Sequence, residues 1–218
     1  MFIKRLENLT LADVICRLAN LVSYNKSSIF GTLLFKTKAI IFGVRVSSSV
    51  KCFGAVHIVR APRSEIIIGK GVTFVSSTTN YTASSIYAPV LVKTLSRSAK
   101  IIIGNSVSLN GTSIVARSRV IRIGDGTMIA PNVVILDSDF HAQWPPEGRV
   151  INPDFESDAD VTIGENVWVG IQCIILKGVH IGENSIIAAG SVVTSDIPAN
   201  VMAAGVPAKI IKQFGGLN

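Results

Sequence analysis

Charge is scarce in this sequence. Of its 218 residues only 16% are Asp, Glu, Lys or Arg, against 48% hydrophobic, and the mean hydropathy is +0.48. A soluble domain carries about 25% charged residues. A disordered chain is rich in charge and poor in Ile and Val, so disorder is excluded. Long hydrophobic runs are lacking too. A bilayer-spanning helix needs about 20 consecutive apolar residues, and the most apolar stretch, 29–46, is broken by Lys36, Lys38 and Arg45. The opening Met1-Phe2-Ile3-Lys4-Arg5 starts like the basic head of a secretory signal, but Glu7 and Asp13 interrupt the apolar segment that should follow, and no signal is expected. Cysteine is rare and odd in number: Cys16, Cys52 and Cys173, with no CxxC pair. Three such residues close no disulfide framework, so a reducing cytoplasm is the expected setting.

The length fits one domain, or one domain with an appended segment. The formal charge of +7 is unevenly spread. Residues 1–70 hold 11 Lys and Arg against Glu7, Asp13 and Glu65, a balance of +8, while residues 71–218 hold 10 against 11 acids. A basic N-terminal third on a near-neutral body points to an anionic partner for that third, with a solvated basic face as the alternative.

What the sequence does have is a period of six. Aliphatic residues recur at Ile163, Val169, Ile175, Ile181, Ile187 and Val193. The next position is mostly small: Gly164, Gly170, Leu176, Gly182, Ala188, Thr194. Four residues after each aliphatic come Val167, Cys173, Val179, Ser185, Ser191 and Ile197. The count appears upstream at Ile123, Ile129 and Ile135, at Ile103, Leu109 and Val115, and in an isolated unit at Ile68. Six is wrong for a helix, whose apolar residues recur every three to four positions. It fits a short strand plus a corner, with the aliphatic and the residue four along facing inward and the small residue easing a tight turn. Stacked units bury aliphatic ladders with few charges, which accounts for the composition.

With these units the chain resembles the hexapeptide-repeat acyltransferases, above all in Ile163-Gly-Glu-Asn-Val-Trp-Val-Gly, Ile181-Gly-Glu-Asn-Ser-Ile-Ile-Ala-Ala-Gly-Ser-Val-Val-Thr and the closing Ile197-Pro-Ala-Asn-Val-Met-Ala-Ala-Gly-Val-Pro-Ala-Lys. The likeness is strong over about 100–212 and weak over 40–99, and it is greatest to the galactoside, maltose, nodulation-factor and polysaccharide O-acetyltransferases. It implies an all-β fold, a left-handed parallel β-helix, which departs from the usual right-handed crossover. The expected layout is a helical, basic segment over 1–40, the β-helix over 41–212 with a loop insertion at about 137–161, and a tail over 213–218.

Two breaks interrupt the period. Residues 74–100, with Asn80, Tyr81, Tyr87 and Pro89, read as a loop or irregular coil. Between Ile135 and Ile163 the gap is 28 residues, not a multiple of six, and it carries Asp137, Asp139, His141, Trp144 and Arg149. A long loop in a regular solenoid is usually functional or disordered, and these residue types favour function. At the N-terminus Thr10 and Asp13 form a helix start, and Leu11, Val14, Ile15, Leu18 and Val22 recur at helical spacing, so one amphipathic helix is expected over about 10–23. It would pack on the end of the β-helix or on a neighbouring subunit, or else anchor on a membrane.

Acyl transfer from a thioester to a hydroxyl needs a base, donors for the oxyanion and a hold on the carrier. His57 lies upstream of the strong match and His180 on an outward position, so both read as structural. The resemblance implies that His141 is the general base. Asp139, two residues before it, shares its side in an extended segment and could orient the ring, a task a backbone carbonyl could also perform; Asp137 is weaker. Asn110 stands where Gly or Ala is the rule, and the resemblance gives it substrate or oxyanion contact, against the alternative of a corner-turning Asn. Trp144 could stack on a sugar and Arg149 pair with an acceptor anion. By resemblance alone, acetyl-CoA is the co-substrate. Trp168 would then wall the thiol end, Gly170, Ala189, Gly190, Thr194 and Ser195 would line the pantetheine arm, and Lys209 and Lys212 would lie beside the phosphates.

The expected activity is acetyl-CoA-dependent O-acetylation of a sugar hydroxyl in cell-surface polysaccharide synthesis. The alternative is N-acetylation of a nucleotide-linked amino sugar. A three-histidine zinc enzyme lacks its close His pair in His57, His141 and His180, so no metal is expected, and a non-catalytic β-helix leaves the loop unexplained. A saccharide acceptor, a homotrimer with sites between subunits, and peripheral contact of 1–40 with an anionic membrane at the inner face of the cell membrane complete the expected partners; nucleic acid is not among them.

Overall fold

The computed structural model describes residues 10–78 and 84–215. The six-residue period folds into three parallel sheets that form the three sides of a coil. The first contains Arg45–Val46, Glu65–Ile68, Lys100–Ile103, Val120–Ile123, Val161–Ile163 and His180–Ile181. The second contains Lys51–Phe53, Thr73–Val75, Ser108–Asn110, Met128–Ile129, Trp168–Val169 and Ile186–Ile187. The third contains His57–Val59, Leu91–Thr94, Ser113–Ala116, Val134–Leu136, Ile174–Ile175 and Val192–Val193. Each coil visits the three sides in turn, and each strand bonds to its counterparts one coil before and after. The hairpin of Val201–Gly205 and Ala208–Gln213 closes the second sheet at its far end.

The core is a set of stacked aliphatic columns. Ile68, Ile103, Ile123, Ile163 and Ile181 pair in register and are almost wholly buried. Burying each such side chain contributes about 1.5–3 kcal/mol relative to exposure. Every residue four along in the 163–197 series is buried as well, from Val167 to Ile197. Ser185 and Ser191 are the polar members, and their hydroxyls donate to the Pro198 and Ala188 carbonyls. The upstream count slips once. Val115 was expected inward, yet Ile114 is the buried residue and pairs with Ile135, because the turn at Gly111 and Thr112 shortens the spacing from Leu109 to Ile114 to five.

The small second residue has a different cause from the tight turn expected. Gly124 has an ordinary φ, and a Cβ there would lie 2.5 Å from the Gly164 carbonyl carbon of the next coil. Close approach of backbones, not a special dihedral, excludes a side chain. The left-handed residue comes two positions later, at Gly126 and in the following coils at Asn166, Asn184 and Asn200. Asn tolerates that conformation, and here the Asn184 amide also donates to Asn200 Oδ1 at 3.0 Å.

The N-terminal helix α1 runs over Leu11–Ile41 rather than 10–23. The expected start holds: Thr10 and Asp13 form a capping box. Tertiary packing carries the helix on. Gly31, Phe35 and Ala39, four residues apart, form a buried strip across the first coils. A Cβ on Gly31 would meet the Cys52 carbonyl oxygen at 2.6 Å, the Phe35 ring lies 5.2 Å from that of Phe74, and Thr32 Oγ1 accepts from the Cys52 N–H. The helix thus caps the open end of the core. None of the described helices is long and apolar enough to cross a membrane.

The expected irregular segment separates Thr73–Val75 from Leu91–Thr94. Asn80 and Tyr81 lie outside the described residues. Beyond them the Asn132 side chain accepts from Tyr87 N–H and donates to the Ser85 carbonyl, and Gln172 donates to the Tyr87 hydroxyl, which ties the segment to the turns between second and third sheets.

Candidate active site

The long loop leaves the coil after Val134–Leu136, at the turn from the third sheet to the first, and returns at Val161–Ile163. Its base is a buried ionic cluster. Arg117 donates from Nε and Nη2 to both carboxylate oxygens of Asp158, at 2.8 and 2.6 Å. Both side chains are shielded from solvent. Arg117 also donates to the carbonyls of Pro153 and Asp154, and its guanidinium lies 4.5 Å from the centre of the Phe155 ring. Burial raises the Asp158 pKa, and the bonds from Arg117, Ser118 and Ser138 together with the Arg117 charge outweigh it, leaving the carboxyl below its ordinary value. Asp137 accepts from three successive backbone N–H groups, those of Arg117, Ser118 and Arg119. It is a structural cap on the preceding coil, and no hydrogen bond joins it to His141.

His141 is exposed and lies in the first part of this loop. Its Nδ1 lies 2.8 Å from the carbonyl oxygen of Arg149. A carbonyl only accepts, so in the neutral ring this bond calls for the proton on Nδ1, with Nε2 as the acceptor. The Arg149 guanidinium donates to the Gln143 carbonyl at the surface of the loop, and Ala142 N–H donates to the Asn152 carbonyl. Arg149 therefore shapes the loop with both its backbone and its side chain. Asp139 takes another partner than the expected one. It pairs with Lys177 at 2.9 Å and accepts from Gln143, and the Lys177 bond, ahead of an opposing burial effect, holds its pKa below the ordinary value. Of the two orienting groups left open by the sequence, the backbone carbonyl is the one in contact.

Asn110 sits at the opposite turn, between the second and third sheets, and its amide donates to the Ile129 carbonyl one coil on. It is not in the left-handed conformation; Gly111 is. Gly170, Ala189 and Gly190 lie along that same edge. A Cβ on Gly170 would meet Ala189 N at 2.5 Å, whereas Gly190 has open space around it. Trp168 is half exposed on the second sheet. Thr194 and Ser195 are exposed on the edge that carries the loop, and Lys209 and Lys212 on the last strand. Trp144 projects into solvent. One chain thus presents two separate edges, one with Asn110 and the glycines, the other with His141, Thr194 and Ser195. No hydrogen bond or ion pair joins the two edges among the described residues.

Two of the three thiols are poor candidates for a nucleophile. Burial pushes Cys52 up to about 12 and raises Cys173, and both sit in the core. Among the described residues no cluster of His, Cys, Asp or Glu could hold a metal. His57 and His180 are exposed strand residues.

A family model described as bacterial transferase hexapeptide (six repeats) matches residues 160–195. The chain carries the bacterial transferase hexapeptide repeat. This hexapeptide-repeat chain is 39% identical over 114 residues to the galactoside O-acetyltransferase of Escherichia coli K12, covering 51% of this chain and 53% of that protein. It is 38% identical over 120 residues to the putative lipopolysaccharide biosynthesis O-acetyl transferase WbbJ of the same organism, covering 52% and 61%. The chain spans about half the length of the curated relatives it matches. Among solved structures, the N-acyltransferase AntD of Bacillus cereus superposes with a TM-score of 0.60 at 18% identity, over 84% of this chain and 88% of that one. The fold is the left-handed parallel β-helix.

Arg117 was not singled out by the sequence. Its buried partner Asp158 is 41 residues away across the loop, and no local pattern links them.

Proposed function

We propose that this chain transfers an acetyl group from acetyl-CoA to a saccharide hydroxyl in the synthesis of a cell-surface polysaccharide. The observation that carries this reading is the His141–Arg149 carbonyl bond, which leaves Nε2 as a free base on an exposed loop. Nε2 takes the hydroxyl proton as the sugar oxygen attacks the thioester carbonyl carbon. The carbon–sulfur bond then breaks, and the imidazolium returns the proton to the departing thiolate. No acyl-enzyme is needed.

The two separated edges support a site shared between copies. In a closed trimer the edge bearing Asn110, Gly170, Ala189 and Gly190 of one copy faces the His141 edge of the next, and closed symmetry repeats that contact three times. Trp168 and the small residues give a flat, unobstructed track for a pantetheine arm, and Lys209 and Lys212 supply cations for phosphates. Trp144 offers a stacking face to the acceptor. The basic N-terminal third suits an enzyme held at the inner face of the cell membrane, close to a lipid-linked acceptor.

The test is release of free thiol from acetyl-CoA with nucleotide sugars, free glycosides and lipid-linked oligosaccharides as acceptors, for the parent chain and His141→Ala. Loss of about 10²–10⁴-fold in turnover is expected for a missing general base, with acetyl-CoA binding kept. Undiminished turnover in that variant would overturn the assignment. An amide product would replace the hydroxyl acceptor with an amine, and a monomer by mass measurement would remove the shared site.

A further inference from the structure

The face of α1 that does not pack on the coil is apolar and uncovered. On its first half Leu11, Ile15, Leu18 and Val22 are each more than half exposed, on its second half Ile29, Phe30, Leu33, Ile40 and Ile41 are too. A polar turn with Ser23, Asn25 and Lys26 separates the two stretches. Large apolar side chains in such a row on a helix, open to solvent, mark a surface with a partner. The opposite face of the second half is already used, since Gly31, Phe35 and Ala39 hold it against the first coils.

Charge identifies the partner. Between residues 10 and 70 there are nine Lys and Arg against Asp13 and Glu65. Asp13 is engaged in the helix cap, and Glu65 pairs with Arg45 and Lys100. Arg17 lies near Asp13, whose carboxylate is already held in the helix cap, and Lys26 and Lys38 on α1 make no ion pair among the described residues. A second copy docked face to face through this same helix would bring the cationic surface against itself with nothing to offset the repulsion. A bilayer with anionic headgroups offers acyl chains for the apolar side chains and opposite charge for the Lys and Arg.

We propose that α1 lies in the interface of an anionic lipid membrane, its uncovered apolar side chains buried at the headgroup boundary and its basic residues among the lipid phosphates. The inference rests on the membrane-proximal part of the function proposed above, but its test needs no acetyl transfer. Because α1 is clamped across the end of the coil through Gly31, Phe35 and Ala39, the coil would be held at its N-terminal end by the bilayer, with the His141 loop further along.

The experiment is vesicle flotation of the full chain with phosphatidylcholine alone and with phosphatidylcholine containing phosphatidylglycerol. Binding is expected only to the phosphatidylglycerol vesicles, falling as salt screens the surface. Leu18→Glu should weaken it by about tenfold or more, through lost apolar burial and an added like charge. Lys26→Glu should weaken it by several-fold, since each basic residue near such a surface contributes about fivefold. Both positions are solvent-exposed, and thiol release with a soluble acceptor serves as the control for a folded chain. If neither vesicle binds, or if both variants bind as the parent does, the proposal fails. If Leu18→Glu instead breaks a defined oligomer while vesicles are ignored, a second copy covers this face. Failure of flotation with acetyl transfer intact would remove the membrane and leave the proposed reaction standing; the converse would remove the reaction alone.

Discussion

The carbonyl oxygen of Arg149 lies 2.8 Å from Nδ1 of His141, while Asp139, two residues before the histidine, is bound to Lys177 at 2.9 Å. The ring's orientation therefore comes from backbone, not from a carboxylate. This separates two groups that stand side by side in the sequence.

Asp139→Asn should consequently leave turnover within an order of magnitude of the parent, in contrast to His141→Ala. The Lys177 pair is partly exposed, so its loss should also cost less than about 1 kcal/mol of stability. Steady-state kinetics and a denaturant titration check both; a collapse of turnover in Asp139→Asn would return the orienting role to the carboxylate.

Arg117→Met removes the partner of a buried carboxylate and should destabilise by about 3–5 kcal/mol, because Asp158 would be left uncompensated. The double variant Arg117→Met with Asp158→Leu should recover much of that loss. Urea unfolding of the three proteins measures the difference. Faster proteolysis within 140–157 in the single variant would show that the cluster holds the loop.

Acid should unfold the protein through the same cluster. Burial opposes but does not outweigh the bonds from Arg117, Ser118 and Ser138, so the folded Asp158 lies below its unfolded value. A carboxyl depressed in this way adds stability above its unfolded pKa of about 3.9 and loses it as pH falls through the folded value. Asp139 and Asp125 shift in the same direction and add to the slope. Thermal unfolding should hold steady between about pH 7 and pH 5 and then fall below about pH 4, less steeply in the Arg117→Met, Asp158→Leu double variant.

Two glycines separate close approach from dihedral freedom. Gly124→Ala puts a methyl 2.5 Å from the backbone of the next coil and should cost about 1–3 kcal/mol or more, since neither backbone can yield. Gly190→Ala meets nothing within 4 Å but holds φ at +71°, so its cost should be about 1–2 kcal/mol, the strain of a left-handed residue. Melting temperatures of the two variants rank these effects.

Trp144→Ala should leave stability unchanged, since the ring is 78% exposed, and should raise the acceptor KM if that ring stacks on the sugar. An unchanged acceptor KM would end the stacking role.

The period of six by itself determined that the chain stacks short strands, while the left hand of the coil came from the family resemblance. An inward aliphatic every sixth residue, with a second inward residue four along, fits short strands that stack and bury one another, and local spacing is enough to read it. The helix start at Thr10 and Asp13 was legible for the same reason, because a capping box is a local device. The helix end was not. Ile29 to Ile41 becomes helical by docking Gly31, Phe35 and Ala39 on a coil that forms from Cys52 and Phe74 onward, a contact between distant segments. The position of His141 in an interrupting loop was likewise visible, but its hydrogen-bond partner was not, since that partner is a carbonyl eight residues away, brought round by the loop's own fold. Tertiary structure alone chose that carbonyl over Asp139, joined Arg117 to Asp158 across 41 residues, and set Asn110 and His141 on different edges of the coil, because side-chain partners in a solenoid are fixed by which corner a residue occupies rather than by its distance along the chain.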